Sequence, residues 1–172
     1  MGLMGLLIRE ASTDDHEALL CQLWGLNRYE QEIAGDRRTD LEGAADSLAE
    51  ALEVAAQREG IVLIAELNGE AAGHLFMFFQ TDDAYVREDL RRYAFISTFF
   101  VEPWARGQGV GQALMTRAEE IAAAKQVKRL RLYALSGNTR ARRIYEEAGF
   151  QLYGVEMMKQ ISPKSPPGAE EF

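Results

Sequence analysis

The stretch Arg106-Gly107-Gln108-Gly109-Val110-Gly111 constrains this chain more than any other. A run rich in Tyr, Phe and Ile (residues 93–101) leads into it. Glu102-Pro103-Trp104-Ala105 forms a corner between the two, and a periodic, Ala-rich segment follows. That order reads as strand, tight glycine loop, helix. A glycine loop opening a helix presents several unpaired backbone N–H groups together, at the positive end of the helix dipole. Gly107, Gly109 and Gly111 let the backbone turn sharply and approach a ligand with no Cβ in the way. The sequence therefore predicts an anion site here, with phosphate as its natural occupant.

Two common phosphate loops are excluded. A nucleoside-triphosphate loop ends in Gly-Lys-Ser/Thr, whereas this one continues Gly111-Gln112-Ala113. A dinucleotide fingerprint needs its third glycine one position later, where Gln112 stands.

The remaining pattern supplies a sheet with flanking helices. Residues 6–11 read as a strand, and Ser12-Thr13-Asp14-Asp15 offers helix N-cap chemistry. Leu19, Leu20, Leu23 and Trp24 recur at helical spacing. Residues 27–40 turn polar and lose that period, which predicts a mobile loop or short distorted helix. Leu41, Ala45, Leu48, Leu52 and Ala55 mark one face of a second helix, which Gly60 can end. Residues 61–67 and 70–80 flank Asn68-Gly69, a strong hairpin signal, and Gly73 marks a bulge or close backbone approach. A helix over 110–125 and a strand over 129–135 complete a βαβ unit after the strand at 93–101, so those strands should run parallel. Ser136-Gly137-Asn138 ends the second strand, and a short helix runs to Ala148, with Gly149 as its C-cap. Residues 150–159 read as a last strand. The expected organisation is one domain over 1–160 and a disordered tail over 161–172, which holds Pro163, Pro166 and Pro167.

Composition narrows the function. At 172 residues the chain suits one domain with a proper core. A formal net charge of −8 and the lack of a dominant basic stripe argue against nucleic-acid binding. The apolar opening is too short for a signal peptide, no run is long enough to cross a membrane, and a cytoplasmic protein is expected. One cysteine (Cys21) and two histidines (His16 and His74) form no metal-ligand cluster, so no metal is expected.

The glycine loop fits the Gln/Arg-x-x-Gly-x-Gly/Ala pattern and resembles that of the GNAT superfamily of N-acetyltransferases. Three further stretches strengthen the resemblance. Phe99-Phe100-Val101-Glu102-Pro103 is similar to the family's apolar strand end and acidic-Pro corner. Residues 130–138 resemble its strand and Asn-bearing loop, and residues 143–150 its Tyr-x-x-x-Gly-Phe ending. The resemblance implies an α/β (α+β) fold. Its central sheet would be mixed and mostly antiparallel, with a splayed parallel strand pair and flanking helices. It also implies acetyl-coenzyme A as cosubstrate. The pyrophosphate would lie on the loop of Arg106, Gly107, Gln108, Gly109, Val110, Gly111 and Gln112. The pantetheine arm would pair with Phe99, Phe100 and Val101. Asn138 would cap its helix and bond the cofactor's amides, and Tyr145 would be the acid at the departing sulfur. Family members often dimerise, which leaves a homodimer open.

The implied chemistry is direct attack of a primary amine, of a small molecule or peptide, on the acetyl carbonyl. Strand backbone N–H groups near Phe100 or Val101 would hold the oxyanion. A non-catalytic coenzyme A sensor or interaction module is the alternative. The general base is open: family positions that carry Glu hold Phe95, Ser97 or Tyr133 here. The resemblance places the acceptor between residues 27–40 and 81–92. Glu102, Asp82, Asp83, Glu30 and Glu32 lie near in sequence or in those segments and are either bases or solvated surface charges, with a water chain through Ser97 or Tyr133 as the alternative. Arg140, Arg142 and Arg143 either meet a cofactor phosphate or form a solvated helix face, and Trp104 packs over the corner or the adenine.

Overall fold

A computed structural model describes residues 5–161. Five strands form one sheet in the order β1-β2-β3-β4-β5: β1 Leu6–Glu10, β2 Ile61–Leu67, β3 Glu70–Thr81, β4 Arg92–Val101 and β5 Leu130–Leu132. Every neighbouring pair is antiparallel except β4 and β5, which are parallel. The helices are α1 (His16–Ala34), α2 (Leu41–Gln57), α3 (Glu88–Arg91), α4 (Val110–Ala124) and α5 (Thr139–Glu147). This is the mixed, mostly antiparallel α/β sheet that the sequence predicts.

Helices cover both sheet faces because the central strands are apolar on both sides. In β3 the eight residues from Ala72 to Phe79 are all buried. One face packs Leu63, Leu75 and Met77 against Leu114 and Ala118 of α4. The other packs Ile64 and Phe76 against Leu19 and Leu23 of α1 and Leu48 of α2. Gly73 satisfies both expectations placed on it. The β2–β3 register shifts between Ala65 and Glu66, beside it, and a Cβ at Gly73 would stand 2.5 Å from the Phe100 carbonyl oxygen.

Three expectations need correction. The segment after Asn27 continues α1 as regular helix to Ala34, ending at Gly35 with φ 77°. It holds because Leu26, Tyr29 and Ile33 share one face that turns inward while Arg28 and Glu32 face water. The strand expected over 129–135 spans only Leu130–Leu132, since its neighbour β4 diverges beyond that point. Residues 150–159 form no strand: they join no ladder, and Leu152, Val155, Met157 and Met158 are 75–90% exposed. Alternating side chains cannot make a strand without a hydrogen-bonding partner, and three-residue β5 offers a short edge. The tail expected from residue 161 lies, except for Ile161, outside the described residues.

Candidate active site

The site begins where β4 and β5 part. Their parallel pairing runs Ala94↔Leu130, Phe95↔Arg131, Ile96↔Leu132 and stops. At the same place the β3–β4 register shifts between Phe76 and Met77, leaving Ser97 without a partner on β3. Beyond the bulge, residues 97–101 face no strand on the β5 side among the described residues, so alternate backbone groups there are open to a ligand. A cleft of about 400 Å3 opens between the two strand ends. Clefts beyond the carboxyl ends of parallel strands are the usual ligand sites of open α/β sheets.

The glycine loop closes one part of this cleft. After the corner helix turn Pro103–Ala105, Gly107 and Gly109 take φ of 75° and 79°, in the left-handed region that favours glycine. Gly109 caps α4 with no side-chain hydrogen bond, so the first-turn N–H groups of the helix are left open. Gly111 serves packing instead: a Cβ there would lie 3.2 Å from Phe99 Cζ and 3.5 Å from Val101 Cγ2. Arg106 Nε donates to the Val101 carbonyl oxygen at 3.0 Å and ties the loop to the strand end. Gln108 turns away, donating from Nε2 to the Trp104 carbonyl oxygen at 2.9 Å.

Helix α5 supplies the opposite wall. Asn138 caps it, its Oδ1 accepting from Ala141 N at 3.1 Å. The same oxygen accepts a hydrogen bond from the Tyr29 hydroxyl at 3.2 Å, so α1 reaches across to the cap. Tyr145 sits seven residues on, on the same helix face, with its ring between Phe99 (6.2 Å) and Phe150 (6.0 Å). Burial, helped by the negative charge of Glu30, pushes its phenol up to about 12. It therefore stays protonated across the neutral range.

Of the residues singled out from sequence, Phe99, Phe100, Val101, Arg106, Gly107, Gly109, Val110, Gly111, Gln112, Asn138 and Tyr145 all line the one cleft; Gln108 does not. Arg140 also lines it. Arg143 is exposed and paired with Glu147 at 2.8 Å, the solvated helix face. Trp104 is 47% exposed and lies outside the lining. Sequence reasoning missed Leu26 and Tyr29, which α1 brings to the cleft. Their spacing of three, continued to Ile33, was the available signal.

Polar groups beside the cleft are unequally partnered. Thr98, a lining residue, keeps its hydroxyl buried with no hydrogen-bond partner among the described residues. Behind Phe100 lies fully buried His74, whose Nδ1–H donates to Gln22 Oε1 at 2.8 Å. Gln22 is oriented by its own Nε2 bond to the Ala71 carbonyl oxygen at 3.2 Å, which fixes the histidine tautomer. Burial lowers His74 to about 3, so it stays neutral.

The fold and site define a small α/β protein with a glycine loop opening a helix and a partly buried phenol in one cleft between splayed strands. Comparison with known proteins gives that class a family. The model of the acetyltransferase (GNAT) family matches residues 22–150. The uncharacterized N-acetyltransferase YhfO of Bacillus subtilis (strain 168) is 33% identical over 144 residues, 84% of this chain and 89% of its own. A solved structure from Pyrococcus furiosus, named a candidate acetyl transferase, is 28% identical with a TM-score of 0.68, covering 91% of this chain and 99% of that one. A variant of the BH1408 protein from Bacillus halodurans shares the fold at a TM-score of 0.77 and 20% identity, with 91% and 99% coverage. The chain belongs to the GNAT acetyltransferase family.

Proposed function

We propose that this protein transfers an acetyl group from acetyl-coenzyme A to a primary amine by direct attack. The observation that carries the reading is the union, in one cleft, of the open amides at the start of α4 and the partly buried Tyr145 hydroxyl. Family membership supports it, as does the name N-acetyltransferase borne by the Bacillus subtilis relative.

The residues present fit the cosubstrate. The loop of Gly107, Gly109 and Gly111 receives the pyrophosphate on backbone N–H groups, with Arg106 and Arg140 adding positive charge. The pantetheine arm lies along β4 at Phe99, Phe100 and Val101 as an added strand, since that edge lacks a neighbour. Asn138 keeps its Nδ2 for the arm's carbonyls, because its Oδ1 is engaged by the cap and by Tyr29.

In the reaction, the amine lone pair forms the C–N bond and the carbonyl becomes an oxyanion. Backbone N–H groups along residues 97–101 hold that charge. The C–S bond then breaks, the sulfur leaves as thiolate, and Tyr145 donates its proton to it. The nitrogen loses a proton, which restores the Tyr145 phenol, so a neutral amine gives amide and thiol with no net proton released, and an ammonium releases the one proton it sheds beforehand. The acceptor enters from the side that Tyr29 and Tyr133 line.

A thiol-release assay with acetyl-coenzyme A and a panel of amines tests this. Amine-dependent release of free thiol with formation of the acetylated amine is the expected result. Tight cofactor binding without turnover of any amine would instead mark a protein that only senses the cofactor.

A further inference from the structure

We propose that Glu30 takes the proton from the acceptor ammonium as it enters the cleft. This rests on the acetyl-transfer reading above and supplies the group that reading lacks. An ammonium has no lone pair, so it must lose a proton before it can attack.

Glu30 is the only carboxylate lining the cleft among the described residues. The other candidate acids are elsewhere. Asp82 is held by Arg131 at 2.9 Å and Arg129 at 3.5 Å, and Glu32, Asp83 and Glu102 do not line the cleft. The strand positions that face it present Ser97, Thr98 and Tyr133, none of which is acidic.

The carboxylate is held by one oxygen and free at the other. Oε2 accepts from Arg37 Nε at 2.8 Å, while Oε1 has no hydrogen-bond partner among the described residues. Arg37 is shared with Asp36, so the cluster carries two negative charges against one positive and attracts a cation. The charged and titratable groups around it are Arg37 with Asp36, Tyr133 beside Arg37, and Tyr145 on α5. Only Arg37 is cationic, and its guanidinium points its Nε at Glu30 rather than competing for Oε1. At 28% side-chain exposure, Glu30 also touches water, where the proton can leave.

The step balances. One N–H bond of the ammonium breaks, its electron pair stays on nitrogen, and the proton bonds Glu30 Oε1 to give a neutral carboxylic acid. The freed amine then attacks the acetyl carbonyl. Water removes the proton from Glu30 before the next turnover.

The test compares benzylamine, cationic at neutral pH, with aniline, neutral there, in wild type and Glu30→Gln. The amide keeps an oxygen for Arg37, so the local structure is conserved. The expected loss in kcat/KM is about 100-fold for benzylamine and much smaller for aniline. The benzylamine loss should shrink as pH rises toward the amine's own pKa. Equal losses for both amines at every pH, or no loss, would overturn the proposal and leave Glu30 a structural residue. Calorimetry with acetyl-coenzyme A separates the two readings. Wild-type protein that fails to bind it, or that turns over no amine of the panel, contradicts acetyl transfer itself. Normal binding and turnover with an unselective variant contradict only Glu30.

Discussion

The Tyr29 hydroxyl donates to Asn138 Oδ1 at 3.2 Å, joining residues 109 positions apart. Tyr29 belongs to α1 and Asn138 caps α5, so this bond runs from one wall of the cleft to the other. A second contact supports it: a Cβ on Gly137 would come within 2.9 Å of Ile33 Cγ2, so α1 packs against the loop before α5. The two walls are thereby held in one geometry, as the proposed reaction between two bound partners needs.

Tyr29→Phe removes only the hydroxyl. A part-buried hydrogen bond of this kind contributes about 1 kcal/mol, equivalent to a Tm fall of about 2–4 °C in a domain this size. Thermal unfolding measures it. An unchanged Tm, with unchanged affinity for acetyl-coenzyme A, would mean the two walls are held without this bond.

Tyr145→Phe keeps the aromatic packing against Phe99 and Phe150. Steady-state kinetics should show kcat reduced far more than affinity for acetyl-coenzyme A. Unchanged kcat would return Tyr145 to a packing role. The phenol's raised value of about 12 also depends partly on Glu30, so Glu30→Gln should lower it. A difference titration of the tyrosine absorbance against Tyr145→Phe reads that shift.

His74 makes the fold sensitive to acid. Folded, it is held neutral with a value of about 3, against about 6.5 unfolded. Between those values only the unfolded chain binds the proton, so stability is full above about pH 6.5 and falls as pH drops toward about 3. Asp15, lowered to about 2 chiefly by Arg9, adds to that loss in the same direction, at lower pH. Urea midpoints at about pH 7 and about pH 4.5 should differ less for His74→Gln than for wild type. An equal drop in both would show that the acid loss has another source.

Thr98 carries a buried hydroxyl without a partner among the described residues. Thr98→Val removes it at nearly constant volume, so stability should hold or rise by up to about 1 kcal/mol. Denaturant unfolding checks this. A clear loss would mean that the hydroxyl is satisfied in solution by a bound water.

Much of the site was legible because its signals are local. The glycine loop, the Asn138 cap and the position of Tyr145 each follow from spacing within a few residues. Membership of one cleft for Phe99, Val101 and Tyr145 follows from the βαβ connection that links them. The contribution of α1 was harder to read. Past Asn27 its outward face is so polar that the period fades, and the inward residues Tyr29 and Glu30 gain meaning only from contacts made far along the chain. The segment 150–159 shows the opposite error. Its apolar residues suit a strand, but strand formation depends on a partner edge that local sequence does not encode. Glu30 illustrates the same limit for chemistry: Glu30, Glu32, Asp82, Asp83 and Glu102 look alike in sequence until the cleft admits one of them.

Calorimetric titration with acetyl-coenzyme A, wild type against Gly109→Asp, tests the central claim most directly. Gly109 has φ 79° and starts α4, so the variant strains the backbone and sets a carboxylate where phosphate should lie. The expected result is one site per chain in the wild type and no detectable binding in a variant that remains folded by circular dichroism. Absence of wild-type binding, or near-normal affinity in the variant, would contradict the assignment of this loop to the cofactor.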